Sequence, residues 1–266
     1  IQMATEWAKA ATSLPVIVKL TPNVTNIVPP AKAAQDGGAD AVSLINTINS
    51  IMRVDYDSLT MYPTTDGMGT HGGYCGEAVK PIALNMVAEI ARHAETRGMP
   101  ISGIGGVTDW RDAVDFLALG ASNFQVCTAA MVYGFLIIED LVDGLGMFLD
   151  DKGMTLEQLV GKAVPSVTDW QYLNLNYVEK AVIDQDLCIK CGRCHVVCED
   201  TSHQAITSSG GGERRFEVID DECVGCNLCV SVCPVEDCIT MRQVSDDSAG
   251  KLNWTQHPNN PMRNTD

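Results

Sequence analysis

The sequence predicts an α/β chain in two unlike parts, and three observations carry that expectation. Short apolar runs alternate four times with helical patterns over residues 1–150. Those runs are apolar on both faces, as the strands of a parallel sheet covered by helices are. Two cysteine runs of identical spacing then occupy residues 188–198 and 223–233, which predicts a small α+β unit organised around metal.

Residues 1–12 (IQMATEWAKAAT) have helical periodicity with no capping residue ahead of them. Residues 15–20 (PVIVKL) are β-branched and apolar, the signature of a buried strand, and Thr21-Pro22-Asn23 closes it. A helix is expected from there to about Asp36, stopped by Gly37-Gly38. Residues 40–45 make the second strand. Residues 46–78, rich in Gly, Thr and Pro, read as a long loop, and residues 80–97 as a helix. Residues 100–104 form the third strand, ended by Gly105-Gly106. Thr108-Asp109 caps a helix to Leu119, and Gly120 stops it. Residues 123–126 are the fourth strand and residues 129–149 one long helix. Residues 151–180, with Pro165 and Asn174-Leu175-Asn176, read as an extended connection. Residues 181–244 hold the cysteine runs, and residues 245–266 turn polar and are expected to be mobile.

Two architectures suit four such units: an open doubly wound sheet, or half of a (β/α)8 barrel. The glycines favour the barrel. Gly105-Gly106 after the third strand, and Cys127-Thr128 opening a helix after the fourth, suit the phosphate site made by a barrel's last two βα loops. An open nucleotide fold wants its Gly-rich turn after the first strand, where Thr21-Pro22-Asn23 stands. A whole barrel takes about 250 residues. Residues 1–150 therefore read as its C-terminal half, with four strands expected ahead of Ile1. The chain reads as an N-terminally truncated fragment, expected to hold metal but to bind a barrel cofactor poorly and to be inactive alone.

The cysteine spacing, C-x2-C-x2-C-x3-C twice and closed the second time by Pro234, is that of bacterial two-[4Fe-4S] ferredoxins. A cubane needs four thiolates converging from different directions. Three come from a tight loop, and the fourth, on the following helix, serves the other cluster. Cys188, Cys191, Cys194 and Cys233 are thus assigned to one cluster, and Cys223, Cys226, Cys229 and Cys198 to the other. The runs belong to a repeat, Cys188 recurring as Cys223 35 residues on, with Ala205-Ile206 answered by Cys238-Ile239. Zinc ribbons lack the third cysteine at this spacing. Disulfides need a secretory setting, and no secretory signal is visible. A thioredoxin-type pair needs a single C-x2-C. Glu199 stands where the second run has proline, and a carboxylate there is expected to make its cluster harder to reduce.

Hydrophobic residues make up 45% of the chain, enough for a packed core, and the net charge is −16. That charge argues against nucleic acid or an anionic membrane as partner. The longest apolar stretches, such as residues 129–138, fall short of a membrane span. Eight thiols poised for iron imply a reducing, cytoplasmic setting.

Lys19 places a charge in a strand that reads as buried. At a barrel's catalytic rim a cation would stabilise the negative charge of a reduced flavin; a strand-end lysine reaching for water is the plainer alternative. Asn46 and Thr47 end the second strand and offer both donors and acceptors, as a pyrimidine requires, unless Asn46 is a cap. Gly105, Gly106 and Thr128 would hold a phosphate through backbone N–H groups. The turn Gly72-Gly73-Tyr74-Cys75-Gly76 would approach a flavin by backbone contact. Cys75 reads as a small apolar filler, Cys127 and Cys238 as packed core, and His71, His195 and His203 as loop or surface histidines.

These residues resemble a known family. Residues 18–23 (VKLTPN), Asn46-Thr47, residues 72–84 (GGYCGEAVKPIAL), 103–106 (GIGG) and 125–128 (QVCT) resemble the FMN barrel of the dihydropyrimidine dehydrogenases. The cytosolic dihydroorotate dehydrogenases are relatives of that barrel. Residues 170–177 (WQYLNLNY), 188–195 (CIKCGRCH) and 199–206 (EDTSHQAI) resemble the FMN and iron–sulfur subunit of the bacterial NAD-dependent form. The likeness runs to about Val244.

The resemblance implies an oxidoreductase that reduces the 5,6 double bond of uracil or thymine. NADH would reduce FAD on a partner subunit of a hetero-oligomer, and electrons would pass through the clusters to FMN. FMN would then give hydride to C6 while a cysteine acid protonates C5. By position Lys19, Gly76, Gly105, Gly106 and Thr128 map onto FMN contacts, and Asn46 and Thr47 onto substrate contacts. The acid cysteine maps to no residue here and is expected upstream of Ile1. Two other readings stay open: a dihydroorotate dehydrogenase-like enzyme with fused clusters, and an electron-transfer module whose strands are a docking scaffold.

Overall fold

The computed structural model describes residues 1–173, 178–201, 203–211, 214–245, 254–256 and 260. Residues 174–176 of the expected connection, and most of the polar tail, lie outside the described residues. The chain divides into two compact units, residues 1–167 and 168–266.

The first unit runs α1 (Gln2–Ala11), β1 (Ile17–Lys19), α2 (Val28–Asp36), β2 (Ala41–Leu44), then four short strands, β3 (Ile48–Ser50), β4 (Arg53–Val54), β5 (Met61–Tyr62) and β6 (Gly72–Tyr74). It continues through α3 (Lys80–Arg92), β7 (Ile101–Ile104), α4 (Trp110–Ala118), β8 (Asn123–Gln125), α5 (Thr128–Tyr133), α6 (Ile137–Lys152) and α7 (Leu156–Leu159). One parallel sheet has the order β1-β2-β7-β8. Strands that follow one another in space as in sequence are barrel topology; a doubly wound sheet reverses at a switch point. The order thus agrees with the expected half barrel.

The core lies between this sheet and α2, α3, α4 and α6, where Val42, Leu44, Val87, Ile90, Ile101, Phe116 and Leu141 are all but inaccessible to solvent. Phe116 packs so closely under β7 that a Cβ at Gly103 would come within 2.5 Å of its ring. At the start of α4 the Asp109 carboxylate accepts from the amides of Arg111 (2.7 Å) and Asp112 (3.2 Å), while the Asp112 carboxylate accepts from the amide of Asp109 (3.1 Å). This reciprocal cap starts the helix where the sequence placed it.

Several expectations need correction. The strand at residues 15–20 is buried only at Leu20: β1 stands at an edge of the sheet, with Ile17 and Lys19 exposed. The loop at residues 46–78 carries two antiparallel ribbons, β3 with β6 and β4 with β5. The helix expected to reach residue 97 stops at Arg92, where His93 turns extended and the buried Thr96 hydroxyl donates to the Ile90 carbonyl at 2.7 Å. The long helix after β8 is broken by Gly134, at φ 82° and ψ 177°, into α5 and α6. Finally, the stretch after α6 is not extended throughout. Thr155 and Gln158 form a capping box for α7. Gly161 and Ala163 donate to the carbonyls of Leu117 and Ala118, both at 2.9 Å, which ties the segment to the end of α4.

The second unit pairs β9 (Val178–Ile183) with β12 (Ile239–Ser245), and β10 (Ile206–Ser209) with β11 (Arg215–Val218), both antiparallel. Helices α8 (Arg193–Asp200) and α9 (Leu228–Val232) pack against each other. The repeat is visible in the backbone. Lys190 and Gly225 are left-handed (φ 59° and 73°), and so are Gly192 and Asn227 (φ 82° and 65°), each pair at the same place in its run. Gly225 is also crowded: a Cβ there would lie 2.5 Å from the Glu179 carbonyl oxygen. The small core combines Ala181, Ile183, Ile206, Phe216 and Ile239 with Cys194, Cys229 and Cys238. Among the described residues no helix is long and apolar enough to cross a membrane.

Candidate functional site

A cavity of about 670 Å³ opens at the C-terminal ends of the parallel strands, and Lys19, Asn46, Thr47, Gly76, Gly105, Gly106 and Thr128 all line it. Lys19 ends β1 and is exposed because that strand is an edge. Asn46 and Thr47 follow β2, and the Asn46 carboxamide oxygen accepts from the Thr47 amide at 2.9 Å. Asn23, which sequence reasoning did not single out, fixes this corner. Its side chain donates to the Thr47 carbonyl (3.1 Å) and accepts from the Asn49 amide (2.9 Å).

The glycines form the opposite wall. Gly76, Gly105 and Gly106 have φ of 92°, 136° and 80°, values that L side chains rarely adopt. A Cβ on Gly106 would meet Lys80 Cβ at 2.8 Å and the Gly76 carbonyl at 2.9 Å. The positive φ at all three glycines and the crowding at Gly106 leave backbone for a ligand to approach, as a phosphate-bearing cofactor requires. The Thr128 hydroxyl donates to the Cys75 sulfur at 3.3 Å. Cys75 and Cys127 are both exposed on the cavity wall, not packed as expected, because their backbone turns end a loop and a strand there.

Two polar groupings escaped the sequence reading. Register places Lys19, Ser43, Ser102 and Asn123 in one row across the sheet. The Gln125 carboxamide donates to the hydroxyls of Ser43 and Ser102, both at 2.8 Å, and Ser102 donates to Asn123. Behind the glycine turn, Lys80 pairs with Asp112 and, at 2.8 Å, with Asp115. Burial alone would raise the Asp112 carboxyl. Hydrogen bonds from Lys80, the Thr108 hydroxyl and the amides of Thr108 and Asp109 outweigh it and hold the group below its ordinary 3.8. Burial would likewise lower the Lys80 ammonium, but the two carboxylates keep it above 10.5.

In the second unit the eight cysteines of the two runs fall into two groups. Cys188, Cys191, Cys194 and Cys233 line one cavity. Cys198, Cys223, Cys226 and Cys229 line another, with His203. Each group thus takes three sulfurs from one run and the last from the other. Among the described residues no three His, Cys, Asp or Glu side chains converge on a single-ion site; the sulfurs surround cavities instead. Burial pushes the Cys194 thiol up and the Cys229 thiol up to about 11. Cys238 is buried, as expected, but in the wall of the first cavity. His195 is half-buried and its Nδ1 lies 2.6 Å from the Ile206 carbonyl, a structural contact, while His71 is exposed.

Comparison with known proteins agrees with both units. Residues 2–149 match the dihydroorotate dehydrogenase family model, and residues 181–241 match a 4Fe-4S dicluster domain. The NAD-dependent dihydropyrimidine dehydrogenase subunit PreA of Escherichia coli (strain K12) is 40% identical over 251 residues, covering 94% of this chain and 60% of that protein. The catalytic subunit of dihydroorotate dehydrogenase B (NAD(+)) from Thermococcus kodakarensis is 40% identical over 158 residues, 59% of this chain and 49% of that one. The chloroplastic dihydropyrimidine dehydrogenase (NADP(+)) of Arabidopsis thaliana is 36% identical over 166 residues, 61% and 39% of the two chains. The chain thus spans about 60% of the length of its bacterial relative. Paired [4Fe-4S] clusters and FMN are the cofactors that the two matched domains support. Strand order, glycine cradle, paired cysteine sets and these matches meet in one conclusion: the chain belongs to the dihydroorotate dehydrogenase family, its βα units followed by a 4Fe-4S dicluster domain.

Proposed function

We propose that this chain is the FMN-binding and iron–sulfur part of an oxidoreductase that reduces the 5,6 double bond of uracil and thymine. Electrons would come from NADH through a partner subunit carrying FAD, in the reducing setting of the cytoplasm. The observation that carries this reading is the gathering of seven residues, from Lys19 to Thr128, around one cavity in a chain that continues into two cysteine sets. Bound FMN supplies hydride chemistry and bound clusters supply one-electron chemistry.

The chain's own residues do the rest. Gly76, Gly105 and Gly106 let the backbone come within reach of the cofactor, and Thr128 opens α5 beside them. The Lys19 ammonium favours negative charge on the ring system. Asn46 and Thr47 present an amide and a hydroxyl at the mouth of β2, a donor and acceptor set that suits a pyrimidine edge. Cys188, Cys191, Cys194 and Cys233 would hold one cluster, and Cys198, Cys223, Cys226 and Cys229 the other.

The relation across the cysteine unit favours dihydropyrimidine over dihydroorotate chemistry, because the match to the Escherichia coli protein covers 94% of the chain and that to the archaeal one 59%. The test is turnover of the whole protein with its partner and NADH. Loss of ultraviolet absorbance from uracil, with orotate unchanged, is the expected result. Turnover of orotate alone would move the assignment to the dihydroorotate branch, and bound iron without flavin would leave an electron-transfer module.

A further inference from the structure

The repeat in the second unit makes its two halves directly comparable, and they differ at one buried sulfur. Cys238 and Ala205 occupy the same place. Each follows a left-handed residue, Asp237 (φ 57°) and Gln204 (φ 51°). The carbonyl of each accepts a backbone bond of 2.8 Å, from Asp184 and from Ile219. Ala205 contributes no side-chain donor, and its amide bonds the Cys198 sulfur at 3.2 Å. Cys238 instead puts a thiol into the wall of the cavity lined by Cys188, Cys191, Cys194 and Cys233. That residue is 2% exposed and shares the cavity wall with Cys188 and Cys233. Its S–H makes a long contact of 3.7 Å to the Asp184 carbonyl.

We propose that Cys238 is a spare ligand of the first cluster site, ready to take the iron held by Cys188 or Cys233 when that bond opens. The inference rests on the iron–sulfur reading of this unit. The step is a ligand exchange: one iron–sulfur bond to Cys233 breaks and one to Cys238 forms. The Cys238 proton passes to the released thiolate, and no electron changes hands. The second site has Ala205 at this place and no fifth cysteine in its wall, so the two clusters are unequal in how they survive loss of a thiolate.

The test uses the full chain purified without oxygen, with iron counted and the reduced clusters followed by electron paramagnetic resonance. Cys233→Ala is expected to keep the iron and both four-iron signals of the unsubstituted chain. Cys198→Ala, which removes the matching ligand of the other site, is expected to lose one cluster or convert it to a three-iron form. Cys233→Ala combined with Cys238→Ala should behave like Cys198→Ala. Equal loss in Cys233→Ala and Cys198→Ala would overturn the proposal, as would equal retention in the single and double variants. Should Cys233→Ala fail to fold, Cys238→Ala alone decides. With all four ligands intact it should give up the first cluster's iron to a chelator several-fold faster, and an unchanged rate would overturn the proposal. An unsubstituted chain that carries no four-iron cluster would instead sink the iron–sulfur reading itself.

Discussion

At the scale of single residues the cavity depends on positions where a side chain is excluded. Gly106→Ala would force a left-handed alanine, costing about 1–2 kcal/mol, and drive its methyl to 2.8 Å from Lys80 Cβ. We expect a fall in melting temperature and weaker FMN binding, read by calorimetry and by flavin titration. Gln125→Leu leaves the buried hydroxyls of Ser43 and Ser102 without their shared partner; the expected cost is about 1–3 kcal/mol, measurable by denaturant unfolding. The two cases also show what could be read from sequence. Glycine pairs at strand ends signal a backbone demand, so Gly105 and Gly106 were legible. Gln125 and Asn23 were not, because a polar residue near a strand end looks like solvent exposure until register reveals what it faces. Lys19 was located rightly and its burial wrongly, since nothing local distinguishes an edge strand from an inner one.

At the scale of elements, helix starts and stops were the readable part. Asp109 was identified as a cap, and Asp109→Ala is expected to cost about 0.5–2 kcal/mol by thermal unfolding. Its neighbour ties stability to pH. The Asp112 carboxyl sits below 3.8 in the fold, so its contribution is fully present above that value and disappears as the pH falls through the lowered folded value. The Lys80 ammonium sits above 10.5, so its contribution is present below that value and is lost as the pH rises through the raised one. Asp112→Asn should therefore flatten the acid limb of a plot of melting temperature against pH and leave the limb near neutrality level. What sequence missed at this scale was interruption. Gly134 splits a helix whose apolar pattern continues unbroken from α5 into α6, and the ribbons of residues 46–78 are two or three residues long, too short to show a period.

At the scale of the whole molecule, the two units owe their stability to different things. The first has a conventional apolar core around Phe116 and Leu44. The second counts cysteines among its core members, so metal binding and folding are coupled there. Removing iron with a chelator is expected to make residues 168–266 sensitive to protease while residues 1–167 remain resistant, a difference that mass spectrometry of the fragments would report. Equal sensitivity of both units would contradict it.

Gly225 has a consequence for how this duplicated unit can be rebuilt. Its partner position, Lys190, carries a long side chain in the same left-handed turn, whereas a Cβ at Gly225 would meet the Glu179 carbonyl at 2.5 Å. A chimera bearing the first loop twice would therefore jam lysine against strand β9, while one bearing the second loop twice would be tolerated at that turn. The repeat thus allows exchange of its loops in one direction only.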